Sequence, residues 1–285
     1  MEIQKEQSRV KVFWRIFSRN KAAVAGLFTL GIFAFIAVFG DFIAPEWYDA
    51  QDLNRQFQPP GMRNIMGTDN LGRDILSRMI YGARTTLLVG SLSVFISMGA
   101  GIIIGSLAGF YSGRIDNALM RFIDILMALP GILIAILIVG TLGPGLVNTV
   151  IAMGISGIPG VARMIRSRVL AIREREYVDA ALVSGCSTLR VITHHILPNC
   201  VATIIVQATL GLGSAALGIA GLAFIGLGVQ IPYPEWGFML STGRRFLLNY
   251  PHMATFPGLV IMIFVLAINT VGDGLRDALD PEENY

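Results

Sequence analysis

The residues able to do covalent or metal chemistry are few. The 285-residue chain holds three histidines (His194, His195, His252) and two cysteines (Cys186, Cys200). Ser156 lies in Gly154-Ile155-Ser156-Gly157, a G-x-S-G pattern that suits a nucleophilic serine. Such a serine needs a histidine base within hydrogen-bond reach. Ser156 falls in an apolar run roughly 10–15 Å below one membrane surface, at about 1.5 Å per residue, and no histidine shares that depth. His194 and His195 are adjacent, so on a helix they point roughly 100° apart and cannot share one ion. There is no H-E-x-x-H, no C-x-x-C and no glycine followed by lysine, hence no Walker A loop for ATP. The expectation is a chain with no catalytic residues, no metal site and no cofactor, whose cysteines are free thiols. Ser156 then reads as a small residue at a packing site.

The elements that would position these residues are membrane helices. Hydrophobic residues make up 54% of the chain and charged ones 14%, and mean hydropathy is +0.64. A soluble surface needs far more charge. Apolar runs of roughly 20 residues, enough to cross a bilayer, predict six spans: 22–40, 86–108, 120–141, 146–163, 200–226 and 256–274. The first is too long for a signal-peptide core and no A-x-A-like cleavage site follows it, so it reads as a retained helix. With the N-terminus inside, fifteen Lys and Arg fall on the cytoplasmic side and seven outside, which places both termini in the cytoplasm. Five of the seven are in the long outer segment 41–85. There Leu71, Ile75, Met79 and Ile80 form one helical stripe and Asp74 and Arg78 another, predicting an amphipathic helix along the membrane surface. Near the cytoplasmic end of the third span, Asp124 is one turn from Arg121, its expected partner. Gly101, Gly105, Gly109 and Gly113 recur every four residues, a face for close helix packing. Nothing points to nucleic acid.

Between the fourth and fifth spans the chain turns polar: Glu176 to Asn199 reads EYVDAALVSGCSTLRVITHHILPN. Tyr177 to Val183 can form a short helix with Ala180 and Ala181 as a face without bulk. Gly185 permits a turn or a close approach, and Pro198 starts the next element. These residues suit docking into another protein's groove and equally suit an ordinary cytoplasmic loop.

Asp179-Ala180-Ala181, Gly185 and Ile196-Leu197-Pro198 resemble the EAA motif of permease subunits in binding-protein-dependent ABC importers. Two departures are an Asp for the usual Glu and an isoleucine one residue further from the glycine. Four further stretches narrow the resemblance to the C-type subunit of the dipeptide/oligopeptide permease branch. They are MGTDNLGRDILSRMIYGARTTLLVG (66–90), RIDNALMRFIDILMALP (114–130), AFIGLGVQIPYPEWGFML (223–240) and VLAINTVGDGLRDALDP (265–281).

The resemblance implies an all-α, six-helix type I ABC importer permease fold in the cell (inner) membrane. Its parts would be a cytoplasmic N-terminal segment (1–21), a first helix (22–40), an external loop (41–85), a permease core (86–275) containing the coupling loop 164–199, and a cytoplasmic tail (276–285). It implies a homologous B-type permease, two cytosolic ATPase subunits and an extracytoplasmic solute-binding protein as partners. It also implies ATPase docking through Tyr177, Asp179, Ala180, Ala181, Gly185, Leu197 and Pro198. Many members carry an acid shortly before the FLGLG-like run, where this chain has Gly218 and Ile219. That leaves dipeptides or oligopeptides, nickel chelates and glutathione as substrate classes, and the scarcity of His and Cys favours peptides. A stand-alone secondary transporter or channel is the competing class, but the spans show no charge relay at mid-depth.

Overall fold

The computed structural model describes residues 9–279. Ten helices carry the fold: α1 Arg9–Arg19, α2 Lys21–Ile43, α3 Ile75–Tyr111, α4 Gly113–Met127, α5 Gly131–Leu142, α6 Leu146–Arg173, α7 Glu176–Val183, α8 Thr188–Phe224, α9 Trp236–Arg244 and α10 His252–Leu279. Among the described residues there is no β-strand, only an isolated bridge between Thr68 and Asp74. Five helices (α2, α3, α6, α8, α10) are long and apolar enough to cross a membrane, and α4 with α5 makes a sixth if the bent pair counts as one span.

Helix ends follow local chemistry. The Asn20 side chain accepts from the Ala23 N–H and opens α2; Asp74 accepts from Ser77 N–H and opens α3. Each satisfies an amide that the helix itself leaves unpaired. The third expected span, 120–141, is not straight. Pro130 lacks an N–H and clashes with a preceding turn, so the helix stops at Met127 and restarts at Gly131, bent by 82°.

Residues 75–85 also differ from expectation. They are the first turns of α3, continuous with the second span, rather than a separate surface helix. The stripe does exist, but protein covers it: Ile75 and Met79 cluster with Met239 and Met253, and Phe57 and Tyr250 pack against them. Asp74 and Arg78 do not pair. Asp74 takes hydrogen bonds from Ser77 and Asn64, while Arg78 donates to the Tyr48 carbonyl at 3.0 Å and lies 3.7 Å from Asp69.

The bundle core is the contact between α3 and α6. A Cβ on Gly101 would lie 2.5 Å from Val161, one on Gly105 2.5 Å from the Ala162 carbonyl, and one on Gly109 2.8 Å from Val169. Glycine therefore lets the two backbones touch, as the four-residue spacing predicted. Gly113 leaves the pattern: it opens α4 with φ +59° and open space around it. Two serines on α3 tie the same seam. Ser93 Oγ donates to the Val89 carbonyl at 2.8 Å and Val150 at 3.3 Å; Ser97 Oγ donates to Ser93 at 3.0 Å and Gly154 at 2.7 Å. Outward faces carry bulk, as lipid-facing surfaces do: Phe28, Val38 and Phe42 on α2 are mostly exposed.

Candidate functional site

The helix read from EYVDAALV forms as α7, Glu176–Val183. Its end is a Schellman motif: the Gly185 N–H donates to the Leu182 carbonyl at 3.0 Å and the Cys186 N–H to Ala181 at 3.1 Å. Gly185 has φ +82°, with nothing within 4 Å of where a Cβ would sit. The glycine is there for its left-handed backbone, not for closeness.

One side of α7 is fastened to the bundle. Val178 is fully buried in a cluster with Val169 of α6 and with Val191, Ile192, Ile196 and Cys200 of α8; Ala181, Cys186 and Leu197 pack on it from the edge. The Tyr177 hydroxyl accepts from Asn199 Nδ2 at 3.2 Å and donates weakly to the His195 carbonyl at 3.5 Å. These bonds span the wide turn Val191–Ile196, where α8 is locally a π-helix. The seven expected docking residues therefore divide. Asp179, Ala180, Gly185 and Pro198 face out and Tyr177 is partly exposed, whereas Ala181 and Leu197 lean into the core. Three apolar side chains not singled out from sequence complete the outer face: Leu182, Val183 (89% exposed) and Leu189 (71% exposed). Their signal was bulk apolar residues outside any span.

The frame behind α7 is ionic. Asp116 of α4 takes two hydrogen bonds from Arg166 of α6, each 2.5 Å. Arg173 donates to Ser112 and stacks 5.6 Å from the Phe110 ring centre. Asp124 pairs with Arg163 of α6 at 2.5 Å, not with Arg121. The bend at Pro130 lets α4 lie across α6, which puts this cross-helix partner closer than the local one.

The second feature is a cleft of ≈ 310 Å³ between α3, α5, α6 and α8, whose polar lining comes from Ser93, Ser97, Ser156, Gln207 and Ser214. No charged side chain lines it. Ser156 belongs to this wall, and its hydroxyl donates to the Met153 carbonyl at 2.9 Å. A neighbouring cavity of ≈ 360 Å³ toward the start of α8 carries Arg168, Asn199 and Arg276 and shares Gln207 with the cleft. Along α8, Asn199, Thr203, Gln207, Gly211, Ser214 and Gly218 line one or other cavity. Steps of four, four, four, three and four residues keep them on one helix face. This polar and small-residue track was visible in the sequence as a helical period, but it is masked there by the apolar residues between. His194 is exposed, bonded to Thr193 within its own turn, and His252 sits beside the Thr68 carbonyl at the other end of the molecule.

The helical bundle thus combines an uncharged internal cleft with a small helix fastened to its edge, as a transport permease would need. Residues 101–284 match the family described as binding-protein-dependent transport system inner membrane component, and residues 8–60 match the N-terminal TM domain of oligopeptide transport permease C. The chain belongs to this family of ABC importer permeases, multi-pass membrane proteins that are not themselves enzymes. It is 47% identical over 283 residues to the di/tripeptide transport system permease protein DppC of Pseudomonas aeruginosa, covering 96% of this chain and 93% of that one. It is 46% identical to the dipeptide transport system permease protein DppC of Alkalihalophilus pseudofirmus, covering 93% and 87%. It is 43% identical to the glutathione transport system permease protein GsiD of Pectobacterium atrosepticum, covering 95% and 90%. The fold resembles the inward-facing MetNI methionine ABC transporter with a TM-score of 0.59 at 18% identity, covering 71% of this chain and 96% of that one.

Proposed function

We propose that this permease carries short peptides delivered by an extracytoplasmic solute-binding protein, paired with a homologous B-type permease and driven by two cytosolic ATPase subunits. The observation that carries the reading is the uncharged cleft beside α8, lined by Ser93, Ser97, Ser156, Gln207 and Ser214. Hydroxyls, an amide and backbone surface can accompany a zwitterion of any side-chain charge without trapping it, and selectivity is left to the binding protein. The high identity to two permeases named for dipeptides supports the substrate class. The ATPase docks on α7, where Asp179, Ala180 and Gly185 face out beside Leu182, Val183 and Leu189. Burying one large aliphatic side chain contributes about 1.5–3 kcal/mol.

The described parts of the terminal segments, 9–21 and 276–279, lie in the cytoplasm together with α7, and 41–85 faces outside; residues 1–8 and 280–285 lie outside the described residues. Within 41–85, Arg55, Arg73 and Arg78 are paired with Glu46, Asp52, Asp49 and Asp69. The segment 41–85 holds six acidic residues against five arginines, so these arginines are matched locally and form no basic outer patch.

The test is uptake into proteoliposomes holding the full assembly, with ATP inside and loaded binding protein outside. A labelled dipeptide is expected to accumulate only with ATP, and glutathione to compete weakly. Dominant glutathione uptake would move the assignment to the second reading that the similarity to a glutathione permease supports. Uptake without the ATPase would sink both.

A further inference from the structure

Two cavities on the outer half of the molecule meet at Arg84. One is a groove of ≈ 390 Å³ between α2 and α3, walled by Ala37, Val38, Leu87 and Leu88. The other, of ≈ 280 Å³, lies beyond the ends of these apolar stretches and is formed by Asp41, Trp47, Tyr48 and Tyr81. Arg84 and Leu88 line both. A largely apolar groove between two helices long and apolar enough to span a membrane thus opens into an aromatic chamber holding one cation and one anion.

The two charges form a loose, exposed ion pair without a direct hydrogen bond. Arg84 Nη1 is 3.7 Å from Asp41 Oδ2, and their side chains are 65% and 53% exposed. That separation is beyond hydrogen-bond length, so each keeps capacity for another partner. The rings of Trp47, Tyr48 and Tyr81 touch one another with centres 4.5, 5.4 and 5.2 Å apart. Their segment is pinned: Ser77 Oγ accepts from the Glu46 N–H at 3.0 Å, and Arg78 donates to the Tyr48 carbonyl at 3.0 Å. The chamber is therefore set in place by the α3 N-terminus rather than by whatever enters it.

We propose that these cavities form a binding site for one glycerophospholipid with a primary-amine headgroup. An acyl chain lies in the α2–α3 groove, the phosphate faces Arg84, and the ammonium faces Asp41 and the rings of Trp47 and Tyr81. Aromatic faces attract a cation, and an arginine at the bilayer interface attracts a phosphate. A soluble zwitterion such as a dipeptide shares the two charges but leaves the groove empty. An anionic glycerol headgroup satisfies Arg84 and leaves Asp41 facing a negative charge. The inference does not depend on the transported substrate.

The test uses the delipidated full-length chain in detergent, titrated with phosphatidylethanolamine or phosphatidylglycerol and read by native mass spectrometry. The wild type is expected to bind one phosphatidylethanolamine about fivefold more tightly, the effect of roughly one interfacial charge. Asp41→Asn should erase the preference, Arg84→Gln should weaken both lipids about fivefold, and Arg163→Gln, on a distant exposed ion pair, should do neither. Excess dipeptide should displace no lipid. Equal binding of both lipids to the wild type, a preference that survives Asp41→Asn, or displacement by dipeptide would each overturn the assignment. The wild-type comparison decides the matter even if a variant misfolds.

Discussion

Gly185 separates two roles that a single substitution usually confounds. Its φ of +82° is a conformation that L side chains adopt at a cost of about 1–2 kcal/mol, while a Cβ there meets nothing within 4 Å. Gly185→Ala therefore suffers only the backbone cost, which lowers the population of the intact α7 cap relative to its open form by about 5–30-fold. Asn tolerates the left-handed region, so Gly185→Asn should recover most of that loss. Gly185→Arg carries the same backbone cost as Ala and adds bulk and charge to the outer face beside Val183. In the reconstituted importer, the ratio of peptide transported to ATP hydrolysed should rank wild type, Asn, Ala and then Arg. Arg should be far below Ala, with all four inserted in the membrane to equal levels. If Arg and Ala behave alike, the face around Gly185 docks nothing and the glycine serves only its turn. Normal coupling in the Arg variant would remove the docking assignment altogether.

Two further outcomes test the frame. Gly105→Ala places a methyl 2.5 Å from the Ala162 carbonyl, so α3 and α6 must separate. A loss of about 1–3 kcal/mol should appear as earlier thermal unfolding in detergent, whereas Gly99→Ala, with nothing within 4 Å, should leave unfolding unchanged or slightly later. At the start of α9, burial holds the Glu235 carboxyl above its ordinary 4.5, opposed by hydrogen bonds from the Gly237 and Phe238 N–H groups and the Thr86 hydroxyl. The folded chain thus binds this proton more readily than the unfolded one. Its contribution to stability is full below 4.5 and is lost as pH rises through the elevated value. Glu235→Gln should flatten that part of the stability–pH curve, and an unchanged slope would mean the carboxyl is ionised at no cost.

How much of this was legible depends on whether the cause was local. Five of the spans, the α7 helix and the turn at Gly185 rest on hydropathy, small residues and one glycine, all readable within a few positions. The triplet Gly101, Gly105 and Gly109 was legible as a face, though its partner on α6 was not. Pro130 was visible, yet the sequence does not say whether a proline kinks a span or turns it by 82°. Asp124 was misassigned because spacing ranks only local partners, and Arg163 is 39 residues away. The stripe of Leu71, Ile75, Met79 and Ile80 read as a membrane-surface helix because periodicity marks an apolar face without saying what covers it. Over Ile75 and Met79 it is Met239 and Met253, from far along the chain. The internal track escaped notice for a related reason: in lipid, polarity points inward, and scattered serines in an apolar run look like noise until the helix is wound.

If the ATPase docks on α7 as proposed, the geometry offers a route from there to the cleft. α7 and the turn after it enter the core through Val178, Ala181 and Cys186, and the cluster they join includes Ile192, Ile196, Leu197 and Cys200 of α8. The same helix carries Gln207, Gly211, Ser214 and Gly218 past the cleft. A push on α7 therefore reaches the track through one continuous helix, with the wide turn Val191–Ile196 as its first joint. Tyr177 and Asn199 bracket that joint by a 3.2 Å hydrogen bond. Tyr177→Phe removes the bond while keeping the ring. If α8 moves as one lever, this variant should retain ATPase docking but transport less peptide per ATP. Unaltered coupling would place the joint elsewhere, between α6 and α7.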